Sequence, residues 1–312
     1  MFDTNETLEQ ARIRNIHDAL LEDIGRGDWT GRLIPAGRRV RAQVTVREAA
    51  VLAGRDWFDG CVHALDANAR IDWQYDEGSE MPADSVVCRI ESDARALLSA
   101  ERPALNFLQL LSATATGTRA HVLAIEGASP NPRGCSVLDT RKTLPGLRQA
   151  QKYAVRVGGG QNQRLALWHG ILIKENHIAA AGGVAAALAN AFALHAGVEI
   201  QIEVETLAQL REALAAGATS VLLDNFDDAA MRDAVAITGG RALLEVSGGV
   251  TLAQLRAIAA TGVDRISIGA LTKNVQAVDY SMRVAGLIEY SKVSSWPNAL
   301  SSMTSTKPDD EK

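Results

Sequence analysis

The spacing of hydrophobic positions changes twice in the first part of the chain. Apolar residues recur every three or four positions over residues 1–30, which predicts an amphipathic helix. From residue 33 to about residue 90, segments such as VRAQVTVREAAVLAG and SVVCRIES alternate apolar and polar positions, which predicts half-buried strands with hairpin-like connections. Helical spacing returns over residues 94–125. We therefore predict a small mixed α/β domain with a mostly antiparallel sheet over residues 1–118, including a bridging helix.

The rest of the chain has a different rhythm, in which short apolar runs alternate with Ala-rich amphipathic stretches. The runs are SVLDT, ILIKENH, EIQIEVE, SVLLDN, ALLEVSGG and RISIGAL. Strand–helix–strand order with short connections indicates parallel βαβ units. About six such strands are fewer than the eight of a closed barrel, so an incomplete β/α barrel is predicted over residues 119–275, unless the other domain completes it. We expect a last helix over residues 276–292 and a disordered tail over residues 293–312, which lack periodicity.

Composition excludes several classes of protein. A hydrophobic content of 47% is too high for a largely disordered chain, and a net charge of −5 without a basic run argues against nucleic-acid binding. The three cysteines are widely spaced and match no disulfide or zinc pattern, so we interpret them as reduced thiols in a cytoplasmic protein. The first residues are polar and acidic, unlike a signal peptide, and no apolar run approaches the roughly 20 residues that span a bilayer.

The predicted barrel strands share one feature, which is a polar or glycine-rich end. Catalytic groups of β/α barrels lie at the carboxyl ends of the strands. Any single polar residue there is more often a loop residue or a helix cap, but six strands in succession favour a functional site. The residues concerned are Arg141 and Lys142, Lys174, Glu203, Asp224, Ser247 to Gly249, and Ser267 to Gly269.

Two of these ends have the composition of a phosphate site. In the segments 247–249 and 267–269, small residues precede a predicted helix and allow backbone N–H groups to approach an anion. Either turn alone could be an ordinary helix cap. The two together, on the last strands of a barrel, favour phosphate binding.

Carboxylates and cations accompany these turns. Glu203 and Asp224, on neighbouring strands, suggest Mg²⁺ shared with a substrate phosphate, although a Glu–Lys salt bridge in the barrel mouth is the alternative. Periodicity alone does not choose Glu203 over Glu205. Four cations, two of them arginines, predict a ligand with several negative charges, partly phosphate and partly carboxylate. They are Arg141, Lys142, Arg164 and Lys174; Arg164 follows a glycine triplet that we interpret as a flexible turn.

Several segments, in order over residues 20–286, closely resemble one enzyme family. They are ERPALNFLQLLS, LDTRKTLPGLR, KYAVRVGGG, LIKENHI, LLDNF, EVSGGV and ISIGALT. The family is nicotinate-nucleotide pyrophosphorylase (carboxylating), also called quinolinate phosphoribosyltransferase. The resemblance implies that quinolinate and phosphoribosyl pyrophosphate are converted to nicotinate mononucleotide, CO2 and pyrophosphate for NAD synthesis. It also implies a mixed N-terminal domain, an incomplete barrel, and a homodimer, in some members a hexamer, with active sites shared between subunits.

The resemblance also implies roles for individual residues. Those expected to bind quinolinate are Arg102 from the partner subunit, Arg141, Gln163, Arg164 and Lys174. Those expected to act in catalysis and on phosphoribosyl pyrophosphate with its Mg²⁺, directly or through the substrate, are Lys142, Glu203 and Asp224. Those expected to bind the 5′-phosphate are Ser247, Gly248, Gly249, Ser267 and Gly269.

The chain departs from the family pattern at two positions. Gln163 stands where the family usually has a His that contacts a substrate carboxylate, and His169 stands where an Asp is common. Gln retains an N–H donor but carries no charge. Two alternative functions remain: a related transferase acting on another small acid, and a catalytically silent phosphosugar-binding protein. The presence of Lys142, Glu203 and Asp224 together argues against the second.

Overall fold

The computed structural model describes residues 5–288. Helices α1 and α3 flank a region of strands in the first part of the chain, in the predicted order. The elements are α1 (Leu8–Ile24), β1 (Arg39–Val46), β2 (Ala50–Val51), α2 (Arg55–Leu65), β3 (Arg70–Trp73), β4 (Glu80–Met81), β5 (Ser85–Asp93) and α3 (Ala94–Ile125). The predicted tail, residues 293–312, lies outside the described residues.

Helix α1 has a capping box at its start and a glycine at its end. The hydroxyl of Thr7 accepts from Gln10 N at 3.2 Å, and the Gln10 side chain accepts from Thr7 N at 3.0 Å. This reciprocal cap satisfies two donors that a helix start otherwise leaves unpaired. Gly25 follows the helix with φ 49°, a conformation that favours glycine.

Helix α2 was missed by the sequence analysis, which predicted only strands between residues 33 and 90. Its buried residues, Trp57, Phe58, Cys61 and Val62, recur at three- and four-residue spacing. That helical signal was present in the sequence, but it is short and lies between two strongly alternating segments. These side chains contribute to the hydrophobic core of the N-terminal domain.

The second part of the chain alternates strands and helices. Its elements are β6 (Ser136–Leu138), α4 (Arg148–Val157), β7 (Gly170–Ile173), α5 (Glu175–Ala181), α6 (Val184–Ala193), β8 (Glu199–Val204), α7 (Leu207–Ala215), β9 (Ser220–Asp224), α8 (Asp228–Thr238), β10 (Leu243–Ser247), α9 (Leu255–Ala259), β11 (Arg265–Ser267) and α10 (Ala270–Lys273). The six strands are parallel, in the order β6-β11-β10-β9-β8-β7. The predicted incomplete barrel is confirmed.

The expected C-terminal helix over residues 276–292 is wrong. Residues Tyr280–Leu287 form a strand, β12, which pairs antiparallel with β1 and extends the N-terminal sheet to the order β12-β1-β5-β3. Beyond Tyr280 the strand is half-buried or exposed, so no apolar stripe favours a helix. The free edge of β1 instead offers hydrogen-bond partners to the backbone of residues 280–287. This effect is non-local, because the two strands are far apart in sequence. The end of the chain thus returns to the first domain, and helix α3 crosses the predicted domain boundary at residue 118.

Strand β8 turns apolar side chains outward and polar ones inward. Ile202 and Val204 of β8 pack in the core beneath the helices, as the predicted alternation requires. Gln201 bonds to Glu245, and Glu199 forms an ion pair with Arg265. Because β8 is adjacent to neither β10 nor β11, these contacts cross the barrel interior. The interior of this barrel therefore contains paired polar side chains.

A segment without regular structure spans the gap between the edge strands β6 and β7. Gln161 N donates to Val137 O at 2.8 Å, and Asp139 N donates to Gln161 O at 3.2 Å. On the other side, Arg164 Nη1 donates to Gly170 O at 2.9 Å. We call residues 161–164 the closing segment. It carries two predicted site residues into the barrel mouth.

The glycine triplet before this segment is tightly packed, which corrects its interpretation as a flexible turn. A Cβ on Gly158 would lie 2.5 Å from Ala115 O, and one on Gly160 would lie 2.7 Å from Thr118 Cγ2. The glycines allow the end of α4 to approach α3 closely.

Candidate active site

Two arginines with unfilled donors lie close together at the barrel mouth. Arg141 follows β6, and Arg164 belongs to the closing segment. Within residues 5–288, the Nε atom of each is buried without a hydrogen-bond partner. Burial, and then the nearby charge of Arg141, lower the pKa of Arg164. Two guanidinium groups that repel each other, and whose Nε atoms have no partner among the described residues, form a site for an anion, and their planar forks suit carboxylates.

A buried ion pair fixes the backbone of the closing segment. Asp139 and Lys152 are both 0% exposed and bond to each other. Lys152 Nζ also donates to Gln163 O at 2.8 Å, and Asp139 Oδ1 accepts from Gln163 N at 2.9 Å. Asn162 Nδ2 donates to Asp139 Oδ2 at 2.6 Å. Burial raises the pKa of Asp139 and lowers that of Lys152, while their mutual attraction opposes both shifts. The pair thus positions Gln163 and, next to it, Arg164.

The side chain of Gln163 is already engaged. Its Nε2 donates to Gln201 Oε1 at 3.0 Å. Gln201 is 4% exposed, and it donates in turn to Glu245 Oε2 at 2.9 Å. One of the two N–H groups of the Gln163 amide, which the family resemblance assigns to quinolinate binding, is therefore used inside the barrel.

Lys174 and Glu203 form an ion pair, with Lys174 Nζ 3.1 Å from Glu203 Oε2. Lys174 directly follows β7, where its N–H donates to His177 Nδ1 at 2.9 Å. The Glu203 side chain is only 11% exposed. Glu205 lies beyond the end of β8 and is exposed. The structure thus places Glu203, and not Glu205, in the mouth, and the salt bridge considered as an alternative does form.

The two predicted phosphate turns lie at the same edge of the sheet. Asp224 and Ser247 are paired in register at the ends of β9 and β10. Gly248 has φ 108°, and a Cβ there would lie 2.5 Å from Asn225 Oδ1, so the turn requires glycine. Ser267 is buried at the end of β11. The helices that follow, α9 and α10, have only five and four residues, so backbone N–H groups contribute more here than a helix dipole.

Lys142 extends over the second of these turns. A Cβ on Gly269 would lie 3.0 Å from Lys142 Cδ. Thr272 Oγ1 donates to Lys142 O at 2.9 Å, and Lys142 N donates to Thr140 Oγ1 at 3.1 Å. The Lys142 side chain is exposed, with its charge free to meet an anion at this turn.

The donors available to a metal ion are few. Asp224 Oδ2 accepts from Asn225 Nδ2 at 2.9 Å, and Glu203 faces Lys174. Among residues 5–288, no group of three or more His, Cys, Asp or Glu side chains could hold a metal ion. Two carboxylates fit Mg²⁺ only if a substrate and water supply the remaining oxygens.

Arg102 is separate from this cluster. It is exposed on α3, and within the described part of the chain no hydrogen bond or ion pair joins it to Arg141, Arg164 or Lys174. None of the described helices is long and apolar enough to cross a bilayer.

Sequence reasoning missed the residues beneath the site. Their signal was a charged or amide side chain inside an otherwise apolar run, as in EIQIEV and LLEVS, or inside an amphipathic helix, as for Lys152. Asp139 was visible at the end of SVLD but was given no role. The residues beneath the site that received no role from the sequence are Asp139, Lys152, Asn162, Gln201, Asn225 and Glu245.

Comparison with known proteins identifies the family of this chain. The N-terminal domain model of quinolinate phosphoribosyl transferase matches residues 28–112, and the C-terminal domain model matches residues 114–283. A probable nicotinate-nucleotide pyrophosphorylase [carboxylating] of Bacillus subtilis is 40% identical over 85% of this chain and 90% of its own length. The nicotinate-nucleotide pyrophosphorylase [carboxylating] of Mycobacterium leprae is 39% identical, over 86% and 95%.

A solved structure gives the same result. The nicotinate-nucleotide pyrophosphorylase of Francisella tularensis superposes with a TM-score of 0.82 at 40% identity, covering 90% of this chain and 98% of that one. Family models match both domains, and the matches cover at least 90% of the length of each of these relatives. The chain therefore belongs to the quinolinate phosphoribosyl transferase family.

Proposed function

We propose that the chain transfers the phosphoribosyl group of phosphoribosyl pyrophosphate to quinolinate, giving nicotinate mononucleotide, CO2 and pyrophosphate in the de novo synthesis of NAD. The observation that carries the proposal is the Arg141–Arg164 pair, whose buried Nε atoms lack partners. It lies in the same mouth as two glycine turns suited to phosphate. A dicarboxylate and a phosphosugar together match these two halves.

Quinolinate binds through its two carboxylates. Arg141 and Arg164 provide planar forks, and Lys174 becomes available when a substrate competes with Glu203 for its ammonium group. The repulsion between the arginines, which contributes to the lowered pKa of Arg164, is relieved by a dianion. Binding at this position orients the ring nitrogen toward the ribose.

The sugar phosphate binds along the last strands. The turns of Ser247–Gly249 and Ser267–Gly269 present backbone N–H groups to the 5′-phosphate. Glu203 and Asp224 would accept hydrogen bonds from ribose hydroxyls or would hold Mg²⁺, with the remaining ligands supplied by substrate and water. When bound, the Mg²⁺ neutralises charge on the pyrophosphate leaving group.

The transfer itself demands positioning and charge stabilisation. The bond from ribose C1 to pyrophosphate breaks as positive charge develops on the sugar, and the quinolinate nitrogen forms the new bond to C1. Lys142 stabilises the negative charge of the departing pyrophosphate. The ring, now a pyridinium, accepts the electron pair left when the adjacent carboxylate leaves as CO2, and the ring carbon then takes a proton from water.

Two further features belong to the proposal. We infer that the chain acts as a homodimer, because Arg102 lies on α3 away from the cluster of its own barrel. From the partner subunit it would add a cation to the dicarboxylate pocket. We also infer a cytoplasmic location, since the three cysteines are free and at least half-buried.

The deciding experiment is release of ¹⁴CO2 from carboxyl-labelled quinolinate in the presence of phosphoribosyl pyrophosphate and Mg²⁺. We expect release that depends on both substrates, and its loss in Arg164→Met. Arg211→Met, at an exposed position on α7, serves as the matched control and should retain activity. Absence of CO2 release from the folded wild type would contradict the proposal.

A further inference from the structure

A line of hydrogen bonds crosses the barrel beneath the site. It runs from Gln163 Nε2 to Gln201 Oε1 at 3.0 Å and from Gln201 Nε2 to Glu245 Oε2 at 2.9 Å. The three side chains come from the closing segment, β8 and β10. Gln201 and Glu245 are 4% and 1% exposed, so neither is reached by bulk solvent.

Glu245, at one end of the line, decides which side chain donates and which accepts in each hydrogen bond. A carboxylate only accepts hydrogen bonds, so Gln201 must present its NH2 group to Glu245. Its carbonyl oxygen then points to Gln163, which must in turn present its own NH2 group. Both amides could be turned over without a change of shape, and only Glu245 distinguishes the two directions.

Apart from this line, Ser267 and Arg265 are the groups whose proximity favours the Glu245 carboxylate. Within the described residues, its Oε1 atom is buried without a partner. Burial raises the pKa of Glu245, and the hydrogen bond from Gln201 is the largest of the effects that oppose the rise. A buried carboxyl group that the proposed chemistry does not touch requires another reason to be there.

We propose that Glu245, acting through Gln201, is a positioning residue that fixes the orientation of the Gln163 amide and thereby the affinity for quinolinate. This inference rests on the proposed function. The line holds the amide nitrogen of Gln163 toward the barrel interior and leaves one N–H group for a substrate carboxylate. A neutral side chain can thus act as a donor of fixed direction next to Arg164.

The test relocates the carboxylate along the line. Glu245→Gln keeps the shape but no longer sets the direction, so we expect the KM for quinolinate to rise about threefold to tenfold, the value of one hydrogen bond. The KM for phosphoribosyl pyrophosphate should change less than the KM for quinolinate, since Glu245 also lies beside Ser267, and the melting temperature should stay near the wild-type value. Adding Gln201→Glu restores an obligatory acceptor beside Gln163, and the double variant should recover the quinolinate KM.

A second background separates positioning from a general structural effect. In Gln163→Met, which has no amide to orient, adding Glu245→Gln should leave the quinolinate KM unchanged. The same increase in both backgrounds would overturn the proposal, as would equal changes in both substrate KM values or no rescue by the double variant. If Glu245→Gln does not fold, Gln201→Met interrupts the line at its middle and is compared in the same two backgrounds.

Failure of the two proposals can be told apart. A wild type that releases no CO2 contradicts the proposed function and this inference with it. If the wild type is active and Glu245→Gln leaves the quinolinate KM unchanged, only this inference is contradicted.

Discussion

Lys174 and Glu203 form an ion pair between the neighbouring strands β7 and β8 at the barrel mouth, with Nζ 3.1 Å from Oε2. The lysine belongs to the proposed quinolinate half of the site and the glutamate to the phosphoribosyl half. The ion pair gives the largely buried Glu203 carboxylate a counter-ion while the Lys174 side chain stays 46% exposed. Under the proposed function, either substrate must compete with this ion pair.

Substrate specificity follows from the number of cations. Nicotinate has one carboxylate, so it would leave part of the cluster of Arg141, Arg164 and Lys174 desolvated and unpaired, and sites of this kind reject such analogues by factors of about 10⁴. Nicotinate also lacks the carboxylate that leaves as CO2. We expect turnover with quinolinate and little or none with nicotinate, measured as pyrophosphate release. Comparable rates for the two acids would favour a related transferase acting on a different substrate.

Dependence on Mg²⁺ tests the carboxylate pair. Asp224→Asn keeps the hydrogen-bonding shape but removes a charge, and we expect kcat to fall about 100-fold without a change in melting temperature. Removal of divalent cations with chelator should abolish turnover of the wild type, and added Mg²⁺ should restore it. The exposed Asp228 on α8 provides a control, since Asp228→Asn should be neutral. Full activity in excess chelator would refute the metal requirement.

Shared active sites are tested by complementation. Arg102→Ala and Lys142→Ala should each be inactive, because each lacks a cation of the site. After subunit exchange, half of the dimers are mixed, and one of the two sites in each mixed dimer is intact, so about a quarter of wild-type activity should return. Exchange is verified by mass spectrometry of tagged subunits. Persistent inactivity after verified exchange would mean that Arg102 does not act across the interface.

The buried pair of Asp139 and Lys152 should matter for stability as well as for binding. Lys152→Met leaves the Asp139 carboxylate buried without its counter-ion, which costs about 3–5 kcal/mol of unfolding free energy. Asp139→Asn combined with Lys152→Met removes both charges and should recover a large part of this loss. Urea unfolding provides the measurement. If Lys152→Met is as stable as the wild type, burial of the Asp139 carboxylate without a counter-ion does not cost the expected free energy.

Asp59 predicts a pH effect that is independent of the active site. Burial raises its pKa to about 6, and the hydrogen bond from Trp73 Nε1 at 3.0 Å only partly opposes this. The unfolded value is about 3.9, so the folded state binds more protons between these values, and stability decreases as the pH rises from about 4 to about 6. Asp59→Asn keeps an acceptor for Trp73 without the charge, and it should lose this slope and melt higher than the wild type at pH 7.5. Parallel melting curves for the two proteins across this range would contradict the assignment.

The sequence by itself determined the architecture of the barrel and the composition of its mouth. Strands show their two faces by alternation, and parallel strands bring their carboxyl ends to one edge, so Arg141, Lys174, Glu203 and Asp224 were predictable as neighbours. The glycine at position 248 was also predictable as a special turn, because its requirement is local.

Only the tertiary structure decided how the ends of the chain and the interior of the barrel are used. Tyr280–Leu287 became a strand because β1, about 240 positions earlier, offered a free edge. The position at which β8 ends separates Glu203 from the exposed Glu205, and Gln163 bonds to Gln201, which in turn bonds to Glu245. Each of these outcomes depends on a partner distant in sequence, and a hydrophobic pattern records the burial of a residue but not which distant group it meets there.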